Sequence, residues 1–425
     1  MHSRPFFAAG LALLASFAWT QDIQAQLRRL PGVVDVRLSD GRESASGSYE
    51  ITFEQPLDTN KPKGPKFQQR VVLHHARFDA PVLLLTEGYW VMRGEGAELR
   101  RMLQNPNFIT VEHRFFGQSI PNPARWESLT VKNAADDMHR IVTALKQLYK
   151  GKWISTGVSK SGQTSLFYKC FYPNDVDATV AYSAPVNVTQ EDPRISMFME
   201  TVGEPEIRAR LKAFQIALLK REDELVPLLK ADPKEYSMGV PQAYEYGIFE
   251  VPYSYWQLGF KPADIPEPDA PAAEILRGYN RIGGLSYYSD AGRKQFQAFM
   301  YQAFTEIGYY NYDISDLKPY LKAVKSPTNL VLTPPEARAK IVYNPATMAF
   351  VFPHLQYKAD HVIYLYGETD AWAATQMRLL GRTDSLKIVV KGAAHNVQIT
   401  SGSPEQKAAF YDAMDRWLGM KLVRI

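Results

Sequence analysis

Residues 153–171 read WISTGVSKSGQTSLFYKCF. Trp153 to Thr156 has the character of a strand, Ser161 to Phe171 that of a helix stopped by Pro173, and Gly157-Val158-Ser159-Lys160-Ser161-Gly162 forms the turn between them. A sharp strand-to-helix turn lifts a serine hydroxyl above the carboxyl edge of a sheet, and small residues two positions to either side let it close. Ser159 is therefore the candidate nucleophile. The pattern Gly-x-Ser-x-Gly is met at Gly157, but Ser161 stands where its second glycine belongs.

Outward from this turn the pattern repeats. Pro81 to Leu85 and Phe108 to Val111 are short, nearly continuous apolar runs of the kind that become strands buried on both faces. Ile141, Val142, Ala144, Leu145 and Leu148 recur at helical spacing ahead of Gly151, and Ala178 to Ser183 supplies another strand. Upstream, Ser48 to Phe53 and Arg70 to Phe78 flank the loop Asp58 to Lys66 as a hairpin-type β start. Strand alternating with helix predicts a mostly parallel α/β sheet. From Val188 to Leu330 the alternation stops. Helical stretches (Glu206 to Leu229, Gly292 to Ile307), the Pro-rich linker Lys261 to Pro271 and dense aromatics take over, before strands Val362 to Tyr366 and Leu386 to Val390 and a closing helix Pro404 to Trp417. The division expected is a signal segment at 1–25, a sheet domain at 26–187 and 331–425, and a helical insertion at 188–330.

Composition agrees with a globular chain. Of 425 residues, 45% are apolar and 22% charged, too apolar and too balanced for disorder. The net charge of +4 is scattered, with no run of five like charges, which argues against a nucleic-acid or membrane partner. His2 and Arg4 precede the short apolar run Phe6 to Ala18, the layout of a secretory signal cleaved after Ala18 or Ala25, so an exported protein is expected. Cys170 is the single cysteine, so no intramolecular disulfide can form, and it reads as packing. No His-Glu-x-x-His, cysteine pair, Walker loop or Gly-x-Gly-x-x-Gly is present, and neither a metal nor a cofactor is expected.

A serine nucleophile needs a base and a carboxylate to orient it, in the chain order Ser, Asp, His for an α/β-hydrolase sheet. His395 lies in Gly392-Ala393-Ala394-His395-Asn396, after the last strand and before the last helix, where that base belongs; His354 and His361 precede a strand instead. The loop Gly367-Glu368-Thr369-Asp370 leaves the preceding strand. Asp370 is taken as the orienting carboxylate, with Glu368 as its rival. The oxyanion hole needs two N–H donors, one from the residue after the nucleophile, Lys160, and one from the loop Thr86-Glu87-Gly88-Tyr89, where Gly88 and Tyr89 are both candidates. The charges of Glu112-His113-Arg114-Phe115-Phe116-Gly117, on the same sheet edge, are expected to form an internal ion pair.

These strings, together with Asn133-Ala134-Ala135-Asp136-Asp137 and Phe304-Thr305-Glu306-Ile307-Gly308-Tyr309-Tyr310, resemble peptidase family S37, secreted bacterial tripeptidyl or prolyl-tri/tetrapeptidyl aminopeptidases related to family S28. The family usually carries glycine at the position of Ser161. The resemblance implies an α/β-hydrolase fold whose insertion caps the active site. It also implies a serine exopeptidase acting on peptides with a free N-terminus. Residues 188–330 hold 20 acidic and 16 basic residues, a net of −4 that would favour an ammonium group. Glu87 and Glu306 are the carboxylates singled out as amine anchors, and Tyr309 and Tyr310 as part of an apolar wall for substrate. The rival readings are an S28-like carboxypeptidase or dipeptidyl peptidase, an ester hydrolase, and an inactive binding protein on the same fold.

Overall fold

The computed structural model describes residues 23–39, 47–92, 94–229 and 234–425. The expected signal segment falls almost wholly outside the described residues. Among the described residues nine strands form one sheet: β1 (Val33–Leu38), β2 (Ser48–Pro56), β3 (Lys66–His74), β4 (Val82–Thr86), β5 (Asn107–Val111), β6 (Trp153–Val158), β7 (Ala178–Tyr182), β8 (Val362–Gly367) and β9 (Leu386–Val390). Their order is β1-β2-β3-β5-β4-β6-β7-β8-β9. The hairpin β2–β3 is antiparallel throughout, with Ser48 opposite His74 and Pro56 opposite Lys66. β4 runs parallel to both β5 and β6, pairing Leu83 with Phe108 and with Ile154. Every residue of β4, β5, β7 and β8 is buried, the outcome that unbroken apolar runs dictate once helices cover both sheet faces.

The chain forms two compact units. The first comprises residues up to Ala181, with Ala359–Ile363 and Ala408–Ile425; the second comprises Tyr182–Lys358 and Tyr364–Lys407. In the first, the helix Val131–Leu145 is capped by Thr130, whose side chain accepts the Asn133 N–H, and it shares a core with β2, β3, β4 and β5 through Ile141, Val142 and Leu145. The helix Lys160–Phe171 buries almost every side chain, Cys170 included, so it is a core element rather than an amphipathic surface helix. Burial also pushes the Cys170 thiol up from its ordinary range, which leaves it inert.

In the second unit the described part of residues 188–330 contains helices and turns and no named strand. The predicted helix Glu206 to Leu229 is two helices, Pro205–Lys220 and Glu222–Leu229, with the break at Arg221. The prediction Gly292 to Ile307 is a helix Asp290–Gln302 continued by one π-turn, Ala303–Ile307. Its longest helix, Val240–Leu258, was not foreseen, because Pro241 and Pro252 mask the periodicity. Tyr244, Tyr246, Tyr253, Tyr255 and Trp256 from that helix are buried, so most of the aromatic wealth fills a core.

Candidate active site

In the first unit, Ser159 sits between β6 and the helix Lys160–Phe171 with φ 58° and ψ −124°. That is a conformation a serine adopts only under strain, and strain of this kind collects at functional turns. Gly157 explains how the turn closes. A Cβ there would lie 2.4 Å from the Ser161 carbonyl carbon and 2.5 Å from its oxygen, so no other residue fits.

The loop after β4 crosses this turn at equally close range. A Cβ on Gly88 would come within 2.7 Å of the Lys160 carbonyl carbon and the Ser161 nitrogen. The Gly88 N–H donates to Ser161 Oγ at 3.0 Å, and Ser161 Oγ donates to Glu87 Oε2 at 3.3 Å. Lys160 Nζ donates to the Gly88 carbonyl at 2.8 Å. Of the two amides considered for this loop, Gly88's is thus taken by Ser161.

Glu87 does not suit an amine anchor. It is fully buried, its Oε1 accepts the Met92 N–H at 2.9 Å, and burial, reinforced by the Glu95 charge, pushes its carboxyl up to about 9. A carboxyl that is neutral and enclosed at pH 7 offers no charge to a substrate ammonium. Lys160 is shifted in the complementary sense: burial lowers its amine to about 7. His113 is held well below its ordinary range, first by burial and then by the Lys160 charge.

The charges of the Glu112–Gly117 motif are internal and paired, each with a different partner. Arg114 binds Asp137 in a fully buried two-pronged pair at 2.7 and 2.8 Å and also donates to the carbonyls of Leu57 and Ser128. Glu112 accepts from the backbone N–H of Val91 and Gln118 and from Ser119 Oγ. It therefore braces the loop that follows β4.

In the second unit, His395 Nδ1 lies 2.8 Å from Asp370 Oδ2. Asp370 Oδ1 accepts the Trp372 N–H at 3.1 Å, which caps the short turn Ala371–Thr375 and fixes the carboxylate plane. Asp370 is completely buried while the His395 side chain keeps 15% exposure. Gly367 permits this pairing, since a Cβ there would lie 2.2 Å from the Ala394 carbonyl oxygen. Thr369 donates through both its N–H and its hydroxyl to the Ala393 carbonyl, each at 3.0 Å, and Ser183 Oγ donates to the His395 carbonyl at 2.8 Å. Glu368, the rival carboxylate, accepts the Gly392 N–H at 2.9 Å instead.

Glu306 lies on the π-turn Ala303–Ile307, buried, and accepts from Thr347 Oγ1 at 2.7 Å. Tyr309 and Tyr310 stack at 4.3 Å, and each ring packs 5.4 Å from Trp372, two residues beyond Asp370. Tyr310 and Tyr312 both donate to the half-buried carboxyl of Glu250, whose pKa is raised by desolvation to about 7. Trp372, Glu250 and the side chain of Lys160 are neighbours of the candidate residues that sequence reasoning did not single out. Lys160 is the only charged residue between Trp153 and Tyr168, a signal that it would be buried. Among the described residues no cluster of three or more His, Cys, Asp or Glu could hold a metal ion, and no helix is long and apolar enough to cross a membrane.

The family model described as PS-10 peptidase S37 matches residues 18–425. The chain belongs to peptidase family S37. It is a serine-type peptidase with an α/β-hydrolase fold. A curated relative, the prolyl tri/tetrapeptidyl aminopeptidase of Streptomyces mobaraensis, is 29% identical over 416 residues, covering 94% of this chain and 85% of that protein. Among solved structures, the proline iminopeptidase of Mycobacterium smegmatis is similar with a TM-score of 0.44 and 13% identity, over 87% of this chain and 97% of that one. A bromoperoxidase from Bacillus anthracis is similar with a TM-score of 0.40 and 12% identity, over 87% and 99%.

Proposed function

We propose that this peptidase releases tripeptides or tetrapeptides from free N-termini through an acyl-enzyme. The relation to the Streptomyces mobaraensis enzyme across 94% of the chain carries the peptide length, and the strained conformation of Ser159 carries the nucleophile. In this reading Ser159 Oγ attacks the scissile carbonyl while His395 Nε2 takes its proton. Asp370 keeps the Nδ1–H tautomer in place and stabilises the imidazolium. The amides of Lys160 and Tyr89 receive the oxyanion, since Gly88's is bound to Ser161. His395 then protonates the departing amine, and water attacks the acyl-enzyme by the same route.

Residues 188–330 act as a cap in this reading. Glu306 anchors the substrate ammonium and the Tyr309–Tyr310–Trp372 stack forms the apolar wall. The enzyme is exported. Ile23 packs into the same core as Leu27 and Leu30, which favours signal cleavage after Ala18 over cleavage after Ala25.

The test is a mixed library of unblocked and N-acetylated peptides read by mass spectrometry. Products three or four residues long, cut only from unblocked peptides, are expected; cleavage of acetylated peptides at an equal rate, or release of C-terminal residues, overturns the reading. Ser159→Ala should abolish turnover, and a fluorophosphonate should label Ser159 in the unaltered enzyme.

A further inference from the structure

We propose that the Lys160 side chain and the Ser161 hydroxyl are positioning residues that clamp the two peptide groups on either side of Gly88 and so aim the Tyr89 amide at the oxyanion. The inference rests on the hydrolytic reading of Ser159 given above. Each half of the clamp follows from one peptide group. The Glu87–Gly88 peptide presents the Gly88 N–H to Ser161 Oγ at 3.0 Å, and that hydroxyl is itself fixed by donating to Glu87 Oε2 at 3.3 Å. The Gly88–Tyr89 peptide presents its carbonyl to Lys160 Nζ at 2.8 Å. In a trans peptide the C=O and the following N–H point in opposite directions. Holding the Gly88 oxygen from one side therefore turns the Tyr89 N–H to the other.

The next peptide is pinned as well, because the Tyr89 carbonyl accepts the His113 N–H at 3.0 Å. Rotation of the Gly88–Tyr89 plane would have to break the Lys160 bond and strain this one. Gly88 itself is obligatory, since any side chain would meet the elbow backbone at 2.7 Å. The loop and the elbow are thus in direct contact, so a bond between them fixes the relative position of both oxyanion donors.

The Lys160 amine packs over two aromatic rings and makes its hydrogen bond to the Gly88 carbonyl. Its amine lies 5.6 Å from the ring centroids of both Tyr89 and Phe116, and among the described residues it makes no ion pair. Burying an amine that deeply is unfavourable unless its hydrogen bond matters. The residue would then act twice, offering its own backbone N–H to the oxyanion and orienting the second donor through its side chain. Ser161, where a glycine would close the turn equally well, supplies the other bond.

The experiment compares Lys160→Met, Ser161→Ala and Ser161→Gly with the unaltered enzyme, using an unblocked tripeptidyl p-nitroanilide. A peptide aldehyde serves as tetrahedral mimic, the released tripeptide as ground-state ligand, and the thermal midpoint as check on folding. Loss of an oxyanion donor costs about 10²–10³-fold in kcat, so misaiming one should cost about 10-fold to 10²-fold. The expected result is that fall in kcat for Lys160→Met and for both Ser161 variants. KM and tripeptide affinity should stay within about twofold, and aldehyde affinity should weaken in step with kcat. A variant that keeps kcat within about twofold removes that residue from the clamp. A fall in kcat matched by an equal loss of tripeptide affinity shows general loosening and overturns the proposal. Failure of the fluorophosphonate to label Ser159 in the unaltered enzyme overturns the nucleophile assignment and the clamp with it, whereas labelling with unchanged variants overturns the clamp alone.

Discussion

Replacing Asp370 by Asn exposes the logic of the base. The carboxylate accepts two hydrogen bonds, the Trp372 N–H on Oδ1 and His395 Nδ1 on Oδ2. An amide can satisfy only one of them. If its oxygen keeps Trp372, its NH₂ faces Nδ1, which must then present a lone pair, and the ring proton moves to Nε2, where it blocks the uptake of the serine proton. If the amide flips to restore the tautomer, its NH₂ opposes the Trp372 N–H inside a fully buried pocket, at a cost of about 1–3 kcal/mol. The imidazolium also loses a charge-assisted bond worth about 1.5–3 kcal/mol. Together these give about 2.5–6 kcal/mol, or roughly 10²- to 10⁴-fold in kcat at 1.36 kcal/mol per decade. The assay is kcat on an unblocked peptide p-nitroanilide, alongside Glu368→Gln, whose amide oxygen can still accept the Gly392 N–H. Glu368→Gln should stay within about threefold of the unaltered enzyme. Asp370→Asn with nearly intact turnover, or Glu368→Gln with the greater loss, would refute the assignment of roles.

Three further outcomes follow from particular contacts. Glu87→Gln should preserve the preference for free over N-acetylated peptides, because the buried carboxyl is neutral at pH 7; a collapse of that preference would restore it as an amine anchor. Asp137→Ala strands the Arg114 guanidinium at a fully buried site and should lower the unfolding free energy by about 3–5 kcal/mol in a urea titration, and a loss under about 1 kcal/mol would contradict the pairing. Glu250 keeps its proton to about pH 7 when folded but to about 4.5 when unfolded, so across that window the folded state binds more protons and stability falls as pH rises, levelling off above it. Comparing thermal midpoints from pH 5 to 8, Glu250→Gln should show a shallower decline, and equal slopes would sink the assignment.

What the sequence disclosed and what it hid have physical causes. β4, β5, β7 and β8 were legible because strands buried on both faces read as short, nearly continuous apolar runs. β1 was overlooked; as an edge strand with one fully buried residue, Val36, it carries little hydrophobic signal. Ser159 and His395 were singled out from chain order and strand ends, and Asp370 was preferred to Glu368 on one loop; the structure sets Asp370 against His395. Two residues on one loop look alike in sequence. They differ in space because Asp370 starts the Ala371–Thr375 turn and Glu368 faces Gly392. The enclosure of Glu87 was hidden for a related reason: its two enclosing donors come from Met92 and Ser161, and the second is remote in sequence.

The departure at Ser161 gains a different meaning from this placement. Taken as a motif, a serine in place of glycine weakens the elbow; in the structure its hydroxyl is fully buried and joins the elbow to the loop after β4. Burial shifts three titratable groups around that contact toward their neutral forms, although the Glu95 charge still acts on Glu87. Burial raises Glu87, lowers His113 and brings Lys160 to about 7, so at neutral pH Glu87 and His113 are uncharged. A fixed amide dipole acts most strongly on a developing oxyanion where the medium is poorly polarisable and no carboxylate competes for it. A charged Glu87 would oppose an oxyanion in this neighbourhood. Its neutrality is therefore as much a condition of the proposed chemistry as the direction of the amides, and both depend on the same closed loop.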